Sequence, residues 1–112
     1  MAQISIAPVP QRIVVRWRGV VVADTQAALE LREGSYPPVL YIPRADAAME
    51  SYAPSPRRTT CPFKGQASYF HLRDNDVSDE NAVWSYETPK PEVAAIAGHL
   101  AFYPDKVEIA RI

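Results

Sequence analysis

Apolar side chains recur along this chain in short alternating runs, each soon cut by proline, glycine or a charged turn. Arg12-Ile-Val-Val-Arg-Trp17 sets Ile13, Val15 and Trp17 on one face, and Arg18-Gly19 turns the chain toward Val20-Val-Val-Ala23, the pattern of a β-hairpin. Asp24 to Gly34 fits two patterns. Asp24 can cap a two-turn helix ending at Gly34, or Ala28, Glu30 and Arg32 alternate with Leu29, Leu31 and Glu33 as in a strand. So short a segment gains little from helix propensity, and the strand is the reading taken. Tyr36 to Pro43 reads as a strand between prolines, with Val39 and Tyr41 opposite Leu40 and Ile42.

Met49 to Arg58 carries Pro54 and Pro56 and reads as an irregular loop. From Cys61 onward the chain is expected to be extended, with Ala67, Tyr69 and His71 on one face and Ser68, Phe70 and Leu72 on the other. Arg73 to Glu80 reads as a polar, acidic turn. Asn81 to Glu87 then groups Ala82, Trp84 and Tyr86. One helix is expected near residues 91–98: Pro91 suits a first turn, Val93, Ile96, Ala97 and Leu100 keep a helical stripe, and Gly98 can end it. Leu100 to Tyr103, a Pro104-Asp105 turn and Lys106 to Ile112 read as a last hairpin, with Val107 and Ile109 facing inward. The sum is a mainly β, single compact domain over residues 1–112, barrel-like or sandwich-like, with that one short helix.

Composition narrows the picture. A chain of 112 residues, 47% hydrophobic and 22% charged, is expected to build one core. Eleven prolines spread along it exclude long helices almost everywhere. A net charge of -1 offers no overall field for a phosphate backbone or anionic lipid, so neither nucleic acid nor membrane is the expected partner. One cysteine permits no internal disulfide, and no secretory or membrane-spanning run is found, so a soluble cytoplasmic protein is expected.

The chemistry on offer is sparse. Cys61 lies near Arg57, Arg58 and Lys64, which could stabilise a thiolate, and His71 or His99 could act as its base. The competing reading makes Cys61 a buried small hydrophobe at a strand start. Lys64-Gly65 lacks the glycines and following hydroxyl of a phosphate loop. The run Asp74 to Glu80 lacks the glycine and terminal glutamate of a calcium loop, and one cysteine with two distant histidines does not make a zinc site. No metal or cofactor is expected. The aromatics are more promising: Tyr41, Tyr69, Trp84, Tyr86 and Tyr103 fall on four expected strands, and several projecting inward would form either plain core or a cup for a small planar or cationic ligand.

Asp24-Thr25, Pro37 to Asp46, Thr60-Cys-Pro-Phe-Lys-Gly65, Ala67-Ser-Tyr69, Asn81 to Tyr86 with Pro89, and Ile96 to Asp105 together resemble a bacterial and fungal domain-of-unknown-function family, sometimes labelled nucleotidyltransferase-like. The resemblance spans about residues 12–109, leaving 1–11 as an N-terminal extension. It implies a compact β-rich fold similar in topology to the zinc-binding β-tent proteins, here without their zinc ligands, and brings no established activity. Nucleotidyl transfer would need metal-holding carboxylates on a rigid element, and Asp74 with Asp76 falls in a polar turn. The motifs concentrate Thr60, Cys61, Lys64, Tyr69, Trp84, Tyr86 and His99 as candidate site residues. The leading expectation is a small-molecule-binding module, its cup lined by Tyr69, Trp84 and Tyr86 with Lys64 and Thr60 at the rim. The alternatives are an enzyme with Cys61 as nucleophile, or the transferase activity of the label, and a homodimer formed through exposed strand edges.

Overall fold

The computed structural model describes residues 3–112. Among them are ten strands: β1 (Ile4–Pro8), β2 (Ile13–Trp17), β3 (Val20–Thr25), β4 (Leu29–Glu33), β5 (Val39–Tyr41), β6 (Tyr52–Cys61), β7 (Gly65–Asp74), β8 (Val77–Ser85), β9 (Ala101–Phe102) and β10 (Glu108–Arg111). They form three antiparallel sheets, in the orders β1-β4-β5, β10-β2-β3 and β6-β7-β8-β9. The sheets do not close into a barrel. Reciprocal backbone hydrogen bonds of 2.8 Å between Ile42 and Leu100 join the end of β5 to the start of β9, so the first and third sheets meet along a seam.

The β2–β3 hairpin forms as its alternation dictates, with Ile13, Val15 and Trp17 buried. Asp24 caps no helix. It pairs with Arg12 across the hairpin at 2.6 Å, and β4 takes the strand alternative for the next segment. Two apolar clusters result. The larger contains Trp17, Val22, Tyr52, Leu72, Val83 and Phe102; the smaller contains Leu31, Tyr41, Tyr69, Tyr86, Val93 and Ile96. A side chain such as Leu72, with no exposed surface, contributes about 2–3 kcal/mol by burial. In the larger cluster the polar tips are satisfied: the Tyr52 hydroxyl donates to the Val22 carbonyl at 2.8 Å, and the Trp17 indole N–H to Asp79 at 2.7 Å.

Several expectations are corrected. Met49 to Arg58 is mostly strand, with only a short 3-10 turn at Met49–Ser51. Its prolines are tolerated because β6 is the edge of its sheet and a bulge between Ser55 and Arg58 absorbs Pro56. The acidic stretch is no broad turn either, since β7 and β8 run into it and only Asn75-Asp76 lies between them, Asn75 adopting φ 52°. The helix near 91–98 is a 3-10 stretch, Pro91–Ile96, broken at Val93, where ψ reaches 28° at φ -124°. The final hairpin does not form: β9 pairs with β8, whereas β10 crosses to β2. Ile109 accordingly stays exposed, while Val107 packs against the larger cluster. Residues 4–8 form β1, paired along all of β4. Among the described residues no helix is long and apolar enough to cross a membrane.

Candidate functional site

The smaller cluster is not sealed. On one side it opens into a cleft of two lobes that share Glu33, Tyr36, Pro37, Val39, Lys64 and Trp84 in their walls. The inner lobe, of about 250 Å³, is walled by Tyr41 from β5, Tyr69 from β7, Trp84 from β8, Tyr86 just beyond it and Tyr103 just beyond β9. The pleat explains this convergence. Tyr69 and Trp84 are directly paired across β7 and β8, and Trp84 is paired in turn with Ala101 of β9. The Trp84 and Tyr103 rings lie 4.7 Å apart between centres, and the Trp84 N–H points at the Tyr41 hydroxyl over a long 3.4 Å.

One ion pair stands in the shared wall. Lys64, in the β6–β7 turn, donates to Glu33 of β4 at 2.6 Å, and only 12% and 15% of the two side chains are exposed. Burial, the largest single influence on Lys64, pulls its ammonium down, but the hydrogen bond to Glu33 and the surrounding field outweigh it, and its pKa lies above the ordinary lysine value. The lysine is therefore a cation whose charge is already matched. Its turn is anchored as well. The Lys64 carbonyl accepts the Lys90 N–H at 3.0 Å, and Gly65, at φ +111°, sits where a Cβ would lie 3.6 Å from the Lys90 nitrogen and the Pro89 α-carbon.

The tyrosines differ in their surroundings. Burial raises Tyr41 and Tyr86 above the ordinary phenol pKa. Burial also pushes Tyr69 upward, yet hydrogen bonds with Thr59, Tyr103 and Arg57 outweigh it and bring Tyr69 below that value. The Thr59 and Tyr69 hydroxyls are 2.8 Å apart, and the Arg57 guanidinium lies 5.0 Å from the Tyr69 ring centre. Tyr103, held by burial and by its neighbour Tyr69, is pushed up to about 12.

The outer lobe, of about 660 Å³, is more apolar, with Leu40, Pro62, Phe63, Phe102 and Ile109 in its walls and Cys61 among them. Cys61 is half-buried at the end of β6, not at a strand start. Cys61 and Trp84 thus face a common hollow. Neither histidine joins them. His71 accepts the Asn81 N–H at 3.0 Å far along β7, and the His99 ring contacts the Ala97 carbonyl; neither lines the cleft. Thr60 lies outside it too. Thr59 is paired with Ala67, on the Tyr69 face, so Thr60 points the other way beside Gln66. Glu33 and Tyr36 were not singled out from sequence, although the alternation of 28–33 already set Leu31 and Glu33 on a common side. Among the described residues no three of His, Cys, Asp and Glu converge as metal ligands. The arrangement can stack a ring, offer phenol hydroxyls to its edge, and present a matched cation and carboxylate beside it.

A comparison with curated proteins finds no match. The model of one family, described as a domain of unknown function (DUF427), matches residues 5–112, reaching β1 at one end and the last residue at the other. With nearly its whole length matched, the chain belongs to the DUF427 family.

Proposed function

We propose that the chain is a small-molecule-binding module whose inner lobe takes a planar ring between Tyr69, Trp84 and Tyr86, with Lys64 and Glu33 at the junction of the lobes. The observation that supports this reading most is the convergence of six aromatic side chains, Tyr36 with Tyr41, Tyr69, Trp84, Tyr86 and Tyr103, on one open hollow instead of a closed core. A matched, largely buried ion pair in the wall adds directional polar groups without a net charge. Cys61 packs the outer lobe and takes no chemical part.

A thermal-shift panel of planar phenols and heteroaromatics, read together with tryptophan emission, tests the proposal. At a hundredfold excess over its Kd a ligand stabilises the fold by about 2.7 kcal/mol. Trp84→Ala is expected to remove that shift and the emission change, whereas Cys61→Ser keeps both. A panel without a single stabilising compound, or a hit that binds Trp84→Ala as well as it binds the native chain, would sink it.

A further inference from the structure

The ridge formed by Tyr69 and Tyr103 has two sides. One faces the inner lobe; the other lines a second hollow, of about 250 Å³, shared with Arg57, Asn81, Asp105 and Lys106. That hollow in turn adjoins a third, of about 240 Å³, through Asp105 and Lys106, where Arg16, Arg18 and Glu108 join the wall. Arg57 comes from β6, Arg16 from β2, Arg18 from the β2–β3 turn and Lys106 from the chain before β10. These four cations face two carboxylates, Asp105 and Glu108. None of the four belongs to the ion pairs found among the described residues, which employ Arg12, Arg32, Arg44, Lys64 and Arg111 instead. Arg57 is moreover steadied over the Tyr69 ring, which limits its freedom before any ligand arrives.

A strip with an excess of positive charge therefore begins at the lip of the aromatic lobe. We propose that the ring-bearing ligand carries an anionic substituent, a phosphate or a carboxylate, which passes over the Tyr69–Tyr103 ridge and lies against Arg57 and Lys106, with Arg16 and Arg18 adding longer-range attraction. This rests on the ring-binding reading above. Guanidinium groups suit such a tail because their planar forks match oxyanions, and Lys106 adds a point charge. The matched Lys64 is not free for this task, so the anion is drawn to the Tyr69–Tyr103 lip.

Titration calorimetry with 1-naphthol, 1-naphthoate and 1-naphthyl phosphate, and with inorganic phosphate alone, tests the assignment. At low ionic strength the two naphthyl anions are expected to bind about tenfold tighter than naphthol, the gap narrowing as salt is raised. The ratio of the naphthyl phosphate and naphthoate affinities then tells which oxyanion the strip prefers. Lys106→Gln, which disturbs no ring contact, is expected to shrink the gap; Arg57→Gln with Lys106→Gln to close it while naphthol still binds; and Asp105→Asn to widen it. Equal affinity for all three naphthyl compounds, or a gap that survives the double substitution, would overturn the anionic tail and leave ring binding intact. Inorganic phosphate binding as tightly as naphthyl phosphate would also overturn it, by making the strip a site of its own. Failure of naphthol and both anions to bind would instead remove the ring-binding reading and this inference together.

Discussion

The two apolar clusters share β7 and β9, but the larger is otherwise built on β2, β3, β6 and β8 and the smaller on β4 and β5, and they have different consequences. Around Trp17, Tyr52, Leu72 and Phe102 the packing is closed, and each aromatic polar tip is used internally, as when Tyr52 donates to Val22 and stacks edge-on against Phe70 and Phe102, both at 6.3 Å. Around Tyr41, Tyr69 and Tyr86 the rings reach the wall of an open cleft that Glu33 and Lys64 also line, and the Tyr69 hydroxyl turns to Thr59. The first region holds the fold together. The second retains phenols, an indole and a paired charge where aliphatic side chains would pack more simply, as the proposed ring binding requires.

Substitutions can pull the two apart. The largest effect is expected for Trp17→Ala, which empties a site only 1% exposed and strands Asp79: about 3–5 kcal/mol less stability in a denaturant titration, with unchanged ligand affinity in the fraction that remains folded. Equal losses of stability and affinity would erase the distinction. Next comes Glu33→Gln, which leaves the largely buried Lys64 ammonium without its counter-charge, at about 2 kcal/mol, less than for a pair wholly removed from water. Combining it with Lys64→Met should recover most of that loss; a strictly additive double variant would mean that the two side chains do not act as a pair.

Trp84→Ala should reverse the ranking seen for Trp17, at about 1–2 kcal/mol of stability but with ring binding abolished. The smallest effect belongs to Tyr69→Phe, about 1 kcal/mol from the lost hydroxyl contacts. It has a clear spectroscopic sign nonetheless. Tyr69 is held below the ordinary phenol value, so it should be the first tyrosine to ionise in an ultraviolet titration, and Tyr69→Phe should delete that step. Because its folded pKa is depressed, the linked stabilisation is present above the unfolded phenol pKa of about 10 and is lost as pH falls through the folded value; at neutral pH it vanishes. A first ionisation that persists in Tyr69→Phe would show that another phenol is responsible.

Much of this could be read from the chain, and the exceptions have physical causes. Alternation gave away the β2–β3 hairpin, whereas residues 82–86 are covered on both faces, Val83 and Ser85 being as buried as Ala82, so the pairing of Trp84 with Tyr69 decides which side meets the cleft. Tyr41, Tyr69, Trp84, Tyr86 and Tyr103, several of which were expected to project inward, all line one lobe. β6 stayed hidden because Pro54 and Pro56 argue against a strand, and only its place at a sheet edge lifts that objection. The Pro91 segment kept a helical stripe, but helical spacing does not tell a 3-10 stretch broken at Val93 from an α-helix. Thr60 enters as the first residue of the Thr60 to Gly65 motif, whereas the register beside Ala67 makes Thr59 the hydroxyl that meets Tyr69. Glu33 was missed because its partner lies 31 residues away, a pairing set by how β4 meets the β6–β7 turn.

Gly65 carries a last consequence. A turn fastened by its own carbonyl to Lys90, with a bare α-carbon set close to Pro89, cannot swing outward like a flap. The lysine side of the opening is a fixed jamb, so under the proposed ring-binding reading discrimination by contour would come before any rearrangement of the host.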